Sequence, residues 1–171
     1  ISSTNIFNNR LARKGQNLSM DDLSTALQLT SEELEEDKDI LEGIIKFGNI
    51  SVAEIMTARV NVIDINIKSD FNKVISVIVE SGYSRIPVFQ NSPDNIKGVL
   101  YSKDLIPHLQ KGNIFRWQSL IRPAYFVPET KKISDLLEDF QTNKIHLAVV
   151  IDEYGGTCGI ISLEDILEEI V

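Results

Sequence analysis

Apolar residues recur along this chain in short runs bounded by Gly, Pro, Asn and Asp, and the runs alternate with helical stretches. Ser51-Val-Ala-Glu54 predicts a capped short helix ending near Met56, and Val60–Ile65 an apolar strand. Ser69-Asp70 starts a helix over Phe71–Val79. Arg85–Phe89 and Ile96–Tyr101 read as two strands joined by Gln90–Asn95, a loop dense in turn formers, and Lys103–His108 begins a closing helix. The same order then recurs: strand at Tyr125–Val127, helix at Ile133–Phe140, strands at Leu147–Ile151 and Thr157–Ile161, and a helix from Leu163. Asp152–Gly156 joins the second strand pair, and Lys111–Ser119 is the linker between the halves. Short apolar strands alternating with helices predict an α/β (α+β) fold with a sheet buried on one face by helices.

The two halves are one unit written twice. Pro87-Val88-Phe89, Gly98-Val-Leu-Tyr101 and Asp104-Leu105 recur as Ala148-Val149-Val150, Gly159-Ile-Ile-Ser162 and Asp165-Ile166, at a constant offset of 61 (159 − 98, 165 − 104). The helical half needs a gap of a few residues. One copy of about 60 residues is near the lower limit for independent stability, so the pair is the expected folding unit. The units 51–111 and 112–171 are expected to pack sheet to sheet about a pseudo-two-fold axis, with a pocket at the seam. Ahead of them, residues 1–18 read as a flexible lead-in. Residues 19–50 read as an acidic helical segment, with capping boxes at Ser19–Asp22 and Thr30–Glu33 and a C-terminal glycine at Gly48. The charged run Glu32–Asp39 is read as a solvated face, with a divalent-cation site as the alternative.

Charge narrows the partners. With 25 acidic against 17 basic residues the chain carries −8, which argues against non-specific nucleic-acid or anionic-lipid binding. One cysteine, Cys158, excludes an internal disulfide framework and suits a reducing compartment. No apolar run reaches membrane-spanning length. The chain opens on Ile1 and stops within a predicted helix, as a piece of something longer would.

Few residues offer chemistry. Ser162-Leu-Glu-Asp165 follows a strand and opens a helix. Its carboxylate can accept hydrogen bonds from the two hydroxyls of a ribose, and its serine can reach sugar or phosphate. The same spacing is also an ordinary capping box. In the first copy the matching pair is Tyr101 and Asp104, where a tyrosine fills space instead. In Ser81–Pro87, Ser84 and Arg85 lead into a strand; Arg85 suits phosphate oxygens, or pairs with a surface carboxylate. Its counterpart His146 reads as a packed residue, and His108 as an exposed one. Tyr125 and Phe126 are core aromatics by default, or could flank a purine. No metal spacing, nucleophile elbow, P-loop, GxGxxG or HExxH occurs, so no enzyme is expected.

The paired Gly-h-h-[Ser/Thr]-x-x-Asp unit resembles the CBS domain, two of which form a Bateman module. The chain is more closely similar to the CBS pair of the CorC/HlyC (hemolysin-like, cyclin-M) membrane proteins. That resemblance is carried by Ile55-Met-Thr57, Glu80–Val88, Tyr101–Leu105, Asp152–Gly156 and Gly159–Glu169, with Leu41–Gly48 as the helical stretch before the CBS region. Asn113–Trp117 and Ile121-Arg-Pro123 resemble the gliding-motility-associated branch. The resemblance implies tandem CBS domains attached to an upstream transmembrane domain of the DUF21 type, on the cytoplasmic face of the inner membrane. It implies regulation of magnesium or cobalt efflux, binding of ATP or AMP with Mg2+ accompanying the nucleotide, and a homodimer through the CBS helices. The surfaces for that homodimer are the helices bearing Leu105, Ile106, Leu163, Ile166, Leu167 and Ile170. By position, Ser162 and Asp165 would bind ribose, Tyr125 and Phe126 border adenine, and Ser84 and Arg85 meet phosphates. Tyr101 departs from the Ser/Thr pattern and puts a second nucleotide site in doubt. The alternative function is a structural dimerisation module with a degenerate pocket.

Overall fold

The computed structural model describes residues 47–170. The lead-in 1–18, almost all of the segment 19–50 and its acidic run lie outside the described residues. The chain divides into two compact units, Ile1–Gly48 and Asn49–Val171, and everything below concerns the second.

The first copy builds a three-stranded sheet. Its strands are β2 (Ile65–Asn66), β3 (Arg85–Gln90) and β4 (Ser92–Tyr101), in the order β2-β3-β4. Helix α2 (Phe71–Ser81) connects β2 to β3, which run parallel as a right-sized helical crossover permits. Asp70 caps it by accepting from the Lys73 amide at 2.8 Å, and Gly82 ends it at φ 70°, a left-handed turn that favours glycine. β3 and β4 are antiparallel, closed by Asn91 at φ 69°. The expected loop over 90–95 is therefore a tight turn, because Asn91 tolerates the left-handed region and Ser92 onward can extend at once. Helix α3 (Ser102–Leu105) gives way to a 3-10 turn at Ile106–His108, where Pro107 has no amide to donate. The second copy repeats this with β5 (Phe126–Pro128), α4 (Ile133–Asn143), β6 (Leu147–Ile151), β7 (Thr157–Ser162) and α5 (Leu163–Ile170).

Each copy is completed by the stretch that precedes the other. Helix α1 (Val52–Ile55) and strand β1 (Thr57–Ala58) come before the first copy in sequence but join the second. Val52 N–H donates to the Lys131 carbonyl at 2.7 Å, and β1 pairs antiparallel with β7, giving the order β1-β7-β6-β5. Reciprocally, the linker enters the first copy's core. Trp117 is 1% exposed among Ile65, Phe71, Val74, Ile86 and Leu105, and its indole N–H donates to the Ser69 carbonyl at 2.7 Å. Arg122 then bridges Val99 of β4, with both backbone hydrogen bonds at 2.9 Å. Val52 matches Trp117, and Thr57 matches Arg122, at an offset of 65 (117 − 52, 122 − 57).

Two glycines allow these crossings. A Cβ on Gly159 would lie 2.1 Å from the Thr57 carbonyl oxygen, and one on Gly98 would lie 2.4 Å from the Arg122 carbonyl oxygen. This is the physical reason that glycine opens the repeated strand motif.

The offset of 65 in the lead-ins exceeds the 61 of the strands by four residues, which fall between Thr57 and Ile65. The expected strand over 60–65 is therefore corrected. Arg59–Asn61 is a 3-10 turn and only Ile65–Asn66 pairs. Val60 is 90% exposed, so the apolar run forms a surface loop and not a core strand.

A cleft at the seam as candidate nucleotide site

The extra loop overhangs a cavity of about 400 Å³ between the two copies. One wall is Thr57 with Asn61, Val62 and Ile63. A second is the end of α2 and start of β3, Gly82 to Arg85. The third is His146 and Leu147 of the second copy with Ile160, Ser162, Glu164 and Asp165. Of the six candidate site residues, four line this cavity: Ser84, Arg85, Ser162 and Asp165. Tyr125 and Phe126 do not. The Tyr125 hydroxyl donates to Asp139 Oδ2 at 3.0 Å beside Lys131, whose ammonium holds the same oxygen at 2.6 Å. Burial, and then that carboxylate, raise the Tyr125 phenol above its ordinary value. Phe126, taken as a core aromatic by default, is 48% exposed. The exchange of lead-ins leaves these two outside the cavity lining. The loop facing the second copy's Ser162–Asp165 is Asn61–Ile63, not the segment next to it in sequence.

Ser162 and Asp165 do form a capping box. The Ser162 amide donates to Asp165 Oδ2 at 2.9 Å, and the Asp165 amide donates to Ser162 Oγ at 3.1 Å. One carboxylate oxygen is thus used by the helix. Oδ1 has no protein hydrogen bond among the described residues and remains available at the cavity wall. Arg85 lies opposite in the chemical sense. Among the described residues its buried Nε has no hydrogen-bond partner, and its Nη1 stands 3.7 Å from Glu164 Oε1, too long for a hydrogen bond. A buried donor without a partner is costly, and an anion in the cavity would satisfy it.

The corresponding place in the first copy is filled. Arg122, where the open half has Thr57, donates to both oxygens of Asp104 at 2.8 and 2.9 Å. Its guanidinium sits 4.1 Å from the centre of the Tyr101 ring, where the open half has Ser162. The Arg122 hydrogen bonds pull the Asp104 carboxyl below its ordinary value, and Asp104 raises Arg122 in return. The carboxylate of this half that corresponds to Asp165 is therefore engaged by an internal cation. Among the described residues no three His, Cys, Asp or Glu side chains gather as a metal site would require, and no helix is long and apolar enough to cross a membrane.

The CBS domain family model matches this chain twice, at residues 52–111 and 118–171. The magnesium and cobalt efflux protein CorC of Buchnera aphidicola is 40% identical over 134 residues, 78% of this chain and 46% of that protein. The chain thus spans less than half the length of that curated relative. The CBS domain of a bacterial CNNM/CorC family Mg2+ transporter, solved in complex with ATP, is 36% identical with a TM-score of 0.74, over 79% of this chain and 96% of that one. A CBS-domain pair from Klebsiella pneumoniae, solved with bound AMP, is 31% identical with a TM-score of 0.64, over 71% of this chain and 98% of that one. Duplicated motif, exchanged lead-ins and solved relatives agree: the chain belongs to the CBS domain family, as a CBS pair of the CorC/CNNM Mg2+ transporter kind.

Proposed function

We propose that this CBS pair binds one adenine nucleotide, ATP or AMP, in the open cleft and thereby regulates an attached membrane protein of the magnesium/cobalt efflux type. The observation that carries the reading is the cleft's chemical polarity. Among the described residues it offers a carboxylate with a free oxygen, Asp165, and a guanidinium with an orphaned donor, Arg85, in a cavity also lined by apolar Val62, Ile63 and Ile160. A ribose suits the first, phosphates the second, and a base the apolar wall. The volume is within the range of small-molecule sites. Ser84 and Ser162 add hydroxyls. The solved relatives bound to ATP and to AMP support the ligand class. Mg2+ would accompany a triphosphate, offsetting its charge against a protein of −8.

The transmembrane domain, of the DUF21 type, would be covalently attached outside this chain, which places the module on the cytoplasmic face of the inner membrane. Its role is binding and not turnover. A homodimer through the CBS helices completes the proposal: Leu105 and Ile166 are spent in the core, but Ile106 is 66% and Leu167 45% exposed. The gliding-motility-associated placement rests on Asn113–Trp117 and Ile121–Pro123 alone. A second reading, a structural module with a degenerate pocket, is favoured by the complete Ser162–Asp165 capping box, which explains that pair without a ligand.

Isothermal titration with Mg-ATP, AMP and adenosine separates the two. Asp165→Ala removes the sugar acceptor common to all three. Hydrogen bonds to a charged group are worth about 1.5–3 kcal/mol, so affinity for each should fall at least about tenfold. Wild-type affinity in that variant would leave Ser162–Asp165 as a helix cap and the structural reading standing.

A further inference from the structure

The filled half of the duplicated fold has a consequence for the open half, and the geometry points to Tyr101 as the residue that positions Arg85 for phosphate. This rests on the nucleotide-binding reading above and deepens it. Arg85 and Tyr101 are directly opposed across the antiparallel β3–β4 pair, so their side chains share one face of the sheet. The Arg85 guanidinium carbon lies 5.4 Å from the centre of the Tyr101 ring, within cation–π range. Nothing else orders that guanidinium well. Among the described residues its Nε has no partner, and its one ionic neighbour, Glu164 at 3.7 Å, is a side chain 61% exposed. A ring face attracts a cation without consuming its N–H donors, which therefore stay free for phosphate oxygens.

The ring is itself fixed from the filled side. Arg122 stacks 4.1 Å from its centre and is anchored by two hydrogen bonds to Asp104. Asp104, Arg122, Tyr101 and Arg85 thus form one continuous support running from the filled half-site to the wall of the open one. A serine at position 101, as at 162, would leave Arg85 with no such backing. The loss of a second site is what holds the phosphate-binding residue of the first.

The test is a titration of the whole 171-residue chain with Mg-ATP and with adenosine, for wild type, Tyr101→Phe and Tyr101→Leu, each also in an Arg85→Ala background. Phe keeps the ring, whereas Leu keeps apolar bulk without it. Phe should bind ATP within about twofold of wild type. Leu should weaken ATP about three- to fivefold, the size of a partly exposed cation–π contact, and leave adenosine unchanged. In the Arg85→Ala background Leu should have no further effect. Equal losses for ATP and adenosine, an undiminished ATP affinity in Leu, or the same loss without Arg85 would each overturn the inference. So would a rise to two nucleotides per chain in Leu, which would make Tyr101 a plug and not a support. Should the wild type bind neither ligand, the nucleotide reading itself fails, and this inference with it.

Discussion

Replacing Gly159 by alanine tests the exchange of lead-in segments, on which the site depends. The new Cβ would stand 2.1 Å from the Thr57 carbonyl oxygen and 3.1 Å from Met56 Sδ. Since real Cβ contacts essentially never fall under 3.0 Å, β1 must retreat by about 0.9 Å (3.0 − 2.1). The obstacle is backbone and cannot rotate away. Overpacking of this kind costs about 1–3 kcal/mol, and loosening the β1–β7 hydrogen bonds adds about 0.5–1.5 kcal/mol for each one lost. With one hydrogen bond lost, a total of about 1.5–4.5 kcal/mol follows from the two together. Gly155 is the internal control. Its φ of 80° is left-handed, but a Cβ there meets nothing within 4 Å, so alanine should cost only the backbone term of about 1–2 kcal/mol.

Urea unfolding of the two variants gives the comparison, and ligand titration adds a second axis. Gly159→Ala should also weaken nucleotide binding, because Thr57 and the loop after it line the cleft. Gly98→Ala is the mirror case. It presses on the Arg122 carbonyl at 2.4 Å, so it should destabilise the fold while disturbing ligand affinity less. If Gly159→Ala unfolds no more easily than Gly155→Ala, β1 does not cross to β7 in solution.

Two further outcomes are accessible with the same protein. Arg122 depresses the Asp104 carboxyl in the folded state, so that pairing contributes stability above the unfolded value near 3.8 and loses it as pH falls through the lower folded value; the stability gap between wild type and Asp104→Asn in urea should be wide at pH 6 and narrow at about pH 3, and an unchanging gap would contradict it. Ile106 and Leu167 are the exposed apolar residues on the helices proposed for self-association, so light scattering at roughly tens of micromolar should show a dimer that Ile106→Glu with Leu167→Glu converts to a monomer; a monomeric wild type would remove the homodimer from the reading.

The elements and the repeat are legible in the chain because they rest on local signals. Short apolar runs mark β3, β6 and β7, Asp70 and Gly82 bound α2, and the motif Gly-h-h-x-x-x-Asp marks both strand–helix junctions. What periodicity does not encode is which copy a lead-in joins. Val52 and Trp117 are apolar anchors in short helical turns, and each is equally compatible with either core on pattern alone. The family resemblance assigns Tyr125 and Phe126 to the adenine by position, and the cavity is lined from the other lead-in instead. Two signals pointed the other way. Gly98 and Gly159 demand a close backbone neighbour, and the four-residue surplus before Ile65 had to go somewhere other than a strand. Asn61, Val62 and Ile63 enter the cavity through that surplus, beside Thr57 of β1. Likewise Tyr101 was legible as a departure from the second copy, but its meaning needed the Arg122 that stacks on it.

Duplication by itself would yield two equivalent clefts, so the difference between them has to come from a few substitutions, and the structure shows how three act together. The first copy's lead-in carries the extra loop Arg59–Asn61 and a threonine at position 57; the second's runs from Arg122 to Phe126 without it. A shorter connection leaves no wall for a base, and an arginine at that point needs an anion. Asp104 supplies one within hydrogen-bonding distance, which neutralises the very carboxylate that would have bound a sugar. With that carboxylate occupied, a serine at 101 would line a void, whereas tyrosine fills it and sets its ring within cation–π range of Arg85 and Arg122. The three features act together: the short loop leaves no wall, the arginine engages the carboxylate, and the tyrosine packs the remainder. Restoring a second site would therefore require all three to be reversed, and no single substitution should do it.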